Sequence, residues 1–124
     1  MTLADKGSYA LVLHLPRRRR IRVGRLDLVD FPPGCYIYVG SAFGPGGLRA
    51  RIAHHMKRAV RPHWHIDYLR RAADVMEVWY VTDKRMECTW AERLQGAKGV
   101  TMPVAGFGAS DCGCPTHLFR VGDA

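Results

Sequence analysis

The chain has 124 residues, a formal net charge of +8, a pI near 9.8 and 48% apolar residues. This length suits one domain spanning residues 1–124, and the apolar fraction excludes a disordered protein. The start lacks a secretory signal and no stretch has roughly 20 apolar residues in a row, so we expect a soluble cytoplasmic protein that does not act on membranes.

The first half of the chain predicts strands. "SYALVLHL" (8–15) lies between Gly7 and Pro16 and alternates, which places Tyr9 on its apolar face. Residues 17–34, "RRRRIRVGRLDLVDFPPG", predict an arginine-rich hairpin that turns at Gly24. Its predicted apolar face consists of Ile21, Val23, Leu26 and Leu28.

A strand, a loop and a helix follow the hairpin. In "CYIYVG" (35–40) the two tyrosines share one face, and "SAFGPGG" is too rich in glycine and proline for regular structure. A helix should begin near Leu48, with Leu48, Ile52 and Met56 as its apolar stripe. Arg51 and His55, four residues apart, then lie on a different face, which Arg58 continues.

The second half predicts a helix in "RPHWHIDYLRRA" after Pro62, a strand in "VMEVWYV" (75–81) and a helix in "ECTWAERLQ" (87–95). The tail "FGASDCGCPTHLF" shows turn chemistry without a period. The elements together predict an α/β (α+β) domain: a small, mainly antiparallel sheet flanked by helices, with the arginine-rich hairpin added.

The residue types delivered by these elements suit phosphodiester cleavage. An arginine neutralises a phosphate, a carboxylate holds a hard divalent cation, and a phenol positions or deprotonates water. The positive net charge favours a nucleic-acid partner, although a solvated basic surface is the simpler alternative.

Two short motifs give the chain a family resemblance. "GSY" (7–9) and "YVG" (38–40) resemble the two defining motifs of the GIY-YIG nuclease superfamily, with Ser8 in place of isoleucine. Residues 24–56, "HWHIDYL" and "FGASDCGCPTHLF" look like a subfamily of small members, some fused to endonuclease III-type repair enzymes. The resemblance covers most of the chain. It departs from the family where the hairpin separates the motifs and in having no asparagine.

The resemblance implies a divalent-metal-dependent endonuclease acting on DNA rather than RNA, in branched or damaged form. It implies catalytic roles for Tyr9, Tyr38, Arg51 and His55, and it implies that Glu92 holds Mg²⁺ or Mn²⁺. Without the resemblance, the tyrosines are packing residues and Glu92 is a solvated glutamate with Glu87 as its rival. The alternative functions are a non-catalytic nucleic-acid-binding module and a zinc-stabilised interaction domain.

Two further groups of residues have several interpretations. The first group comprises Cys88, Asp111, Cys112, Cys114 and His117. The three cysteines and His117 form a zinc site, or they are buried thiols with a capping histidine. A third interpretation places Asp111 and His117 at the border of the active site, where they replace the missing asparagine. The second is a phosphate-binding set, or in part a charged edge that prevents aggregation; it comprises Arg17, Arg18, Arg19, Arg20, Arg22, Arg58 and His65. His63 is expected at the surface. The oligomeric state stays open.

Overall fold

A computed structural model describes residues 5–58, 61–109 and 113–122, and it has the predicted α+β architecture. Four strands form an antiparallel sheet in the order β5-β1-β4-β6, and two more form the separate hairpin β2-β3. In chain order the elements are β1 (Gly7–Leu15), β2 (Arg19–Arg22), β3 (Leu28–Phe31), β4 (Gly34–Ala42), α1 (Gly47–Met56), α2 (His65–Arg70), β5 (Asp74–Thr82), α3 (Glu87–Gln95) and β6 (Leu118–Gly122).

The two faces of the sheet carry separate cores, because alternate residues of each strand point in opposite directions. On one face, Tyr9 and Tyr38 pack with Leu48 of α1, Ile66 of α2 and Phe31 of the hairpin. The other face is covered by α3, in a smaller cluster of Val39, Ala91 and Phe119. Every residue on α3 therefore lies across the sheet from the tyrosines.

The hairpin is confirmed, but its predicted apolar face is wrong by one residue in the returning strand. Val29 and Phe31 are buried, whereas Leu28 is 48% exposed. The chain makes a single 3-10 turn at Gly24–Leu26, and Asp27 then adopts a φ of 62° before β3 begins. This turn sets the register, and a one-residue shift moves every side chain of a strand to its other face.

The apolar stripe of α1 also differs from the prediction. Met56 is 50% exposed, and His55 is buried at 1% exposure in its place. At about 100° per residue, His55 lies roughly 20° from Leu48 around the helix, while Met56 lies roughly 80° away. The helix therefore buries Leu48 and His55 against the sheet and ends at Met56 in contact with solvent.

The C-terminal strand β6 was not predicted. Its short segment follows a stretch rich in glycine and cysteine, and it becomes a strand by pairing with β4 at Tyr38, Ile37, Tyr36 and Cys35. The Arg120 guanidinium fixes this edge by donating to the Pro33 carbonyl oxygen at 2.7 and 3.0 Å. Within the described part of the chain, none of the helices has the length and apolar character that crossing a bilayer requires.

Candidate active site

Three of the predicted catalytic residues form one buried cluster. The Tyr9 hydroxyl of β1 lies 2.6 Å from Nε2 of His55 on α1. The ring of Tyr38 on β4 lies 6.4 Å from the Tyr9 ring and 6.1 Å from the His55 ring, measured between centroids. The antiparallel register places Tyr9 opposite Gly40, where an added Cβ would stand 2.6 Å from the Tyr9 hydroxyl oxygen. The glycine of "YVG" therefore provides the space that Tyr9 occupies.

Burial keeps the Tyr9–His55 pair neutral. It raises the pKa of Tyr9 to about 12, and the nearby Arg51 charge opposes that shift only in part. It lowers the pKa of His55 to about 3, although the Asp67 charge acts in the opposite direction. Burial also raises the pKa of Tyr38 well above its ordinary value. At neutral pH the short contact therefore joins a neutral phenol to a neutral imidazole.

The other ring nitrogen of His55 is unusual. Nδ1 is buried and has no hydrogen-bond partner among the described residues. If the Tyr9 hydroxyl donates to Nε2, the single N–H of the neutral ring is on Nδ1 and has no acceptor among the described residues. An unpaired buried polar group costs roughly 1–3 kcal/mol, so the fold maintains this arrangement at the expense of stability.

Arg51 lies at the mouth of the cluster. Its guanidinium donates to the Ser41 carbonyl oxygen at 2.9 Å and sits 4.1 Å from the centre of the Trp64 ring. Arg51, His54 and Trp64 line a cavity of about 240 Å³ beside the "SAFGPGG" loop. This volume equals several water molecules at roughly 30 Å³ each. The cavity thus offers a cation and space for a phosphate next to the buried pair.

Asp67 and His54 belong to the site but were not identified from the sequence. The Asp67 carboxylate accepts the backbone N–H groups of His63 and Trp64 through Oδ2, and the His54 Nε2–H donates to Oδ1 at 2.8 Å. Burial alone would raise the pKa of Asp67, but these hydrogen bonds lower it. Trp64 is the N-cap of α2 and Asp67 is its N3 residue, where a capping box places a carboxylate that accepts the N-cap N–H; that spacing was the available signal.

His65 has a structural position and does not face the cavity beside Arg51. Its Nδ1 accepts the Gly108 N–H at 2.8 Å, and its ring packs against Phe107. Phe107 in turn contacts the Tyr38 ring edge-on at 6.2 Å between centroids. His65 therefore holds the loop that covers Tyr38. His63 is exposed, as predicted.

Glu92 does not join the cluster. It is an exposed residue of α3, on the opposite face of the sheet, and it lines a cavity of about 340 Å³ with Cys88 and Cys114. Its rival Glu87 accepts a hydrogen bond from the Ser8 hydroxyl at 3.2 Å on that same face. Asp111 and Cys112 lie outside the described residues.

The described part of the cluster is poor in the oxygen ligands that Mg²⁺ requires. Magnesium requires oxygen ligands, usually one or two carboxylates with water. His54, His55 and Asp67 each bring one potential ligand atom within 4.8 Å of the other two, but this set offers one carboxylate beside two imidazoles. The residues described around Tyr9 therefore supply an acid–base pair and a cation, and their carboxylate is already engaged by His54, His63 and Trp64.

The hairpin arginines lie on the surface. Arg17 to Arg20 and Arg22 are exposed, and Arg18 pairs with Asp30 at 2.7 Å, while Arg22 pairs with Asp27. A cavity of about 450 Å³ is lined in part by Arg19, Arg20, Arg22 and Tyr68. Arg58 lies beyond the end of α1 at Met56 and therefore does not continue the helix face of Arg51 and His55; it pairs with Asp74 at the start of β5, at 2.8 Å.

Comparison with known protein families gives one match. The model of a family described as a domain of unknown function, DUF123, matches residues 8–124. Searches of curated proteins and of solved structures find no match.

Proposed function

The chain belongs to the DUF123 family, and we propose that it is a cytoplasmic endonuclease that hydrolyses phosphodiester bonds in DNA. One observation carries this proposal: the Tyr9 hydroxyl lies 2.6 Å from a neutral, buried imidazole, with the Arg51 charge close enough to affect both pKa values. The resemblance of the "GSY" and "YVG" motifs to the GIY-YIG nuclease superfamily supports the same chemistry. That resemblance also suggests branched or damaged DNA as the substrate.

In this proposal Arg51 binds the scissile phosphate. Its guanidinium already borders a cavity, where it donates to a carbonyl oxygen and lies against an aromatic ring. A phosphate is a stronger partner for a guanidinium than a carbonyl oxygen, because the hydrogen bonds are charge-assisted and can be bidentate. Arg51 would therefore exchange Ser41 for the substrate and neutralise the charge that develops on phosphorus oxygens.

Tyr9 and His55 would transfer the proton of the attacking water. The water loses a proton to the Tyr9 oxygen as the Tyr9 proton moves to His55 Nε2, and the water oxygen forms the new bond to phosphorus while the bond to the leaving oxygen breaks. The imidazole then releases its proton to solvent, and the leaving oxygen, on the opposite side of phosphorus, takes a proton from water. A phosphate beside the ring would raise the pKa of His55 from about 3 and make this transfer easier.

Substrate access requires a local movement. Tyr9 is fully buried, and the Arg51–Trp64 contact lies beside it. Release of Arg51 toward a phosphate would open this contact and admit water to the Tyr9 hydroxyl. Binding of the substrate phosphate and exposure of the Tyr9 hydroxyl to the attacking water would therefore occur in the same step.

The divalent metal that the resemblance implies is not used in these steps. Asp67, the carboxylate that lies with His54 and His55, already accepts three hydrogen bonds, and Glu92 lies across the sheet. The DNA cleavage assay therefore tests whether cleavage depends on a metal, with magnesium, manganese and chelator as separate conditions.

The exposed arginines would hold the DNA backbone. The net charge of +8 and the row Arg17–Arg20 favour a polyanion, and each phosphate neutralised makes binding more sensitive to salt. Ion pairs between exposed side chains contribute about 0–1 kcal/mol, so Arg18 and Arg22 can exchange Asp30 and Asp27 for phosphates at little cost.

The second candidate is a nucleic-acid-binding module without cleavage. The observation in its favour is the burial of both tyrosines, with pKa values that are raised by desolvation. In this alternative Tyr9 and His55 are core residues, and only Arg51 and the hairpin arginines contact phosphates. It predicts salt-sensitive binding with no products.

The position of Arg51 gives a matched test of the proposal. We expect Arg51→Gln to lower the cleavage rate of labelled DNA by a factor of about 10² or more, as for removal of a transition-state contact. Arg49→Gln removes the same charge from the same helix at an exposed site and should lower the rate much less. Equal losses in the two variants would show that net charge matters and position does not, which would contradict the assigned role.

A further inference from the structure

A second cluster of reactive side chains lies across the sheet from Tyr9. Cys88 is the second residue of α3, while Cys114 and His117 come from the segment that leads into β6. One potential ligand atom from each of the three residues lies within 4.8 Å of the other two. No disulfide joins Cys88 to Cys114. Three separate donors, two sulfurs and one nitrogen, therefore converge although Cys88 is distant from the other two in sequence.

We propose that Cys88, Cys114 and His117 bind one zinc ion. Thiolate and imidazole are the ligands that zinc prefers, and this donor set does not suit magnesium or calcium. With bond lengths of about 2.0–2.3 Å, ligand atoms around a tetrahedral zinc stand roughly 3.5–3.8 Å apart. The ligand atoms of the three residues lie up to 4.8 Å apart, so each pair must approach by about 1 Å at most to bind one zinc ion. Side-chain rotation at partly exposed cysteines is sufficient for this.

A fourth ligand would come from the side of the cavity of about 340 Å³ that Cys88, Cys114, Glu92 and Gln95 help to line. Glu92 follows Cys88 by four residues on α3, so the two share one side of the helix. Water or the Glu92 carboxylate would complete the tetrahedron there. This assigns to Glu92 a place beside a soft-metal site, away from the tyrosine cluster.

The proposed zinc ion would fix the segment before β6 to α3. Through that segment it would also fix the loop that covers Tyr38. The Pro115 carbonyl oxygen accepts the Gly106 N–H at 2.6 Å, and the His117 N–H donates to the Phe107 carbonyl oxygen at 2.8 Å. Phe107 packs edge-on against Tyr38. The zinc site is thus a structural anchor for the loop over the tyrosine cluster, and its existence does not depend on the proposed nuclease activity.

The test measures zinc in the full chain, purified under reducing conditions with zinc present. We expect stoichiometric zinc in the natural protein and in Cys35→Ser, which removes a cysteine of β4 outside the cluster. Cys88→Ser and Cys114→Ser should each lose it. Cobalt in place of zinc should show the intense visible bands of a tetrahedral site together with a thiolate charge-transfer band. Protein without stoichiometric zinc, or zinc retained in both cluster variants, would overturn the proposal.

A measurement on the natural protein covers the case in which a variant does not fold. Zinc bound to Cys88 and Cys114 should protect their thiols from alkylation, and a chelator should remove the protection while leaving the rate at Cys35 unchanged. Chelation should also lower the melting temperature, because a metal that binds only the folded state stabilises it. Identical alkylation rates with and without chelator would contradict the zinc site. A Cys88–Cys114 disulfide that persists in protein purified under reducing conditions would contradict it as well.

Discussion

Replacing Tyr9 by phenylalanine should lower the rate of DNA cleavage by a factor of about 10²–10⁴ while the fold survives. The substitution removes only the hydroxyl that lies 2.6 Å from His55 Nε2, so the proposed proton transfer loses its first acceptor. The phenyl ring keeps its place over Gly40 and against Tyr38. We expect a loss of about 1–3 kcal/mol in the free energy of unfolding, because the His55 ring would have a second buried nitrogen without a partner.

Tyr36→Phe is the matched control for this experiment. Tyr36 lies on the same face of β4 as Tyr38 and is fully buried. It donates its hydroxyl proton to the Pro32 carbonyl oxygen. Its loss should cost a similar free energy of unfolding without a comparable loss of cleavage. If the two variants lose activity in proportion to their stability, Tyr9 is a core residue and the proposed catalytic role is wrong.

The stability of the folded protein should fall as the pH drops from about 6.5 toward 3, and His55 should account for a large part of that fall. The pKa of His55 is lowered from 6.5 to about 3 in the folded state, so the unfolded chain binds more protons in this interval. One such group changes the free energy of unfolding by at most about 1.4 kcal/mol per pH unit. The total for His55 is on the order of 5 kcal/mol, and this contribution is fully present above the ordinary pKa of histidine.

Urea unfolding of the natural protein and of His55→Gln between pH 4 and 7 would measure this contribution. The pKa of His65 is also lowered by burial, so the variant should keep a smaller slope of the same sign. The contribution of Asp67 is present above its ordinary pKa of 3.8 and is lost only at lower pH, outside this range. His63→Gln, at an exposed position, serves as the control. A slope in His55→Gln equal to that of the natural protein would show that His55 is not buried in neutral form.

The sequence pattern was sufficient for the parts of the site that depend on local periodicity. Alternation placed Tyr9 and Tyr38 on the inner faces of their strands, and the register of an antiparallel pair then brings them together. Helical spacing placed Arg51 and His55 one turn apart. It did not identify which side of α1 is buried, because His55 replaces the expected Met56 in the core only once the helix has docked on the sheet.

The sequence pattern could not predict features that depend on pairing between distant segments of the chain. The one-residue shift of the hairpin follows from the conformation of Asp27, and β6 exists because β4 offers it an open edge. Glu92 fitted the expected metal ligand by its distance along the chain, yet α3 covers the other face of the sheet. Cys88 joins Cys114 and His117 for the same reason: α3 and the segment before β6 meet on that face.

The most direct test of the central claim is cleavage by the natural protein of an end-labelled panel of single-stranded, duplex, flap and four-way DNA, with RNA alongside. Magnesium, manganese and chelator are tested separately, and binding is followed on gels at low salt. We predict DNA products that increase with time and disappear in Tyr9→Phe. DNA that is bound but uncut under every condition would contradict the nuclease and leave the binding module as the function of the arginine surface.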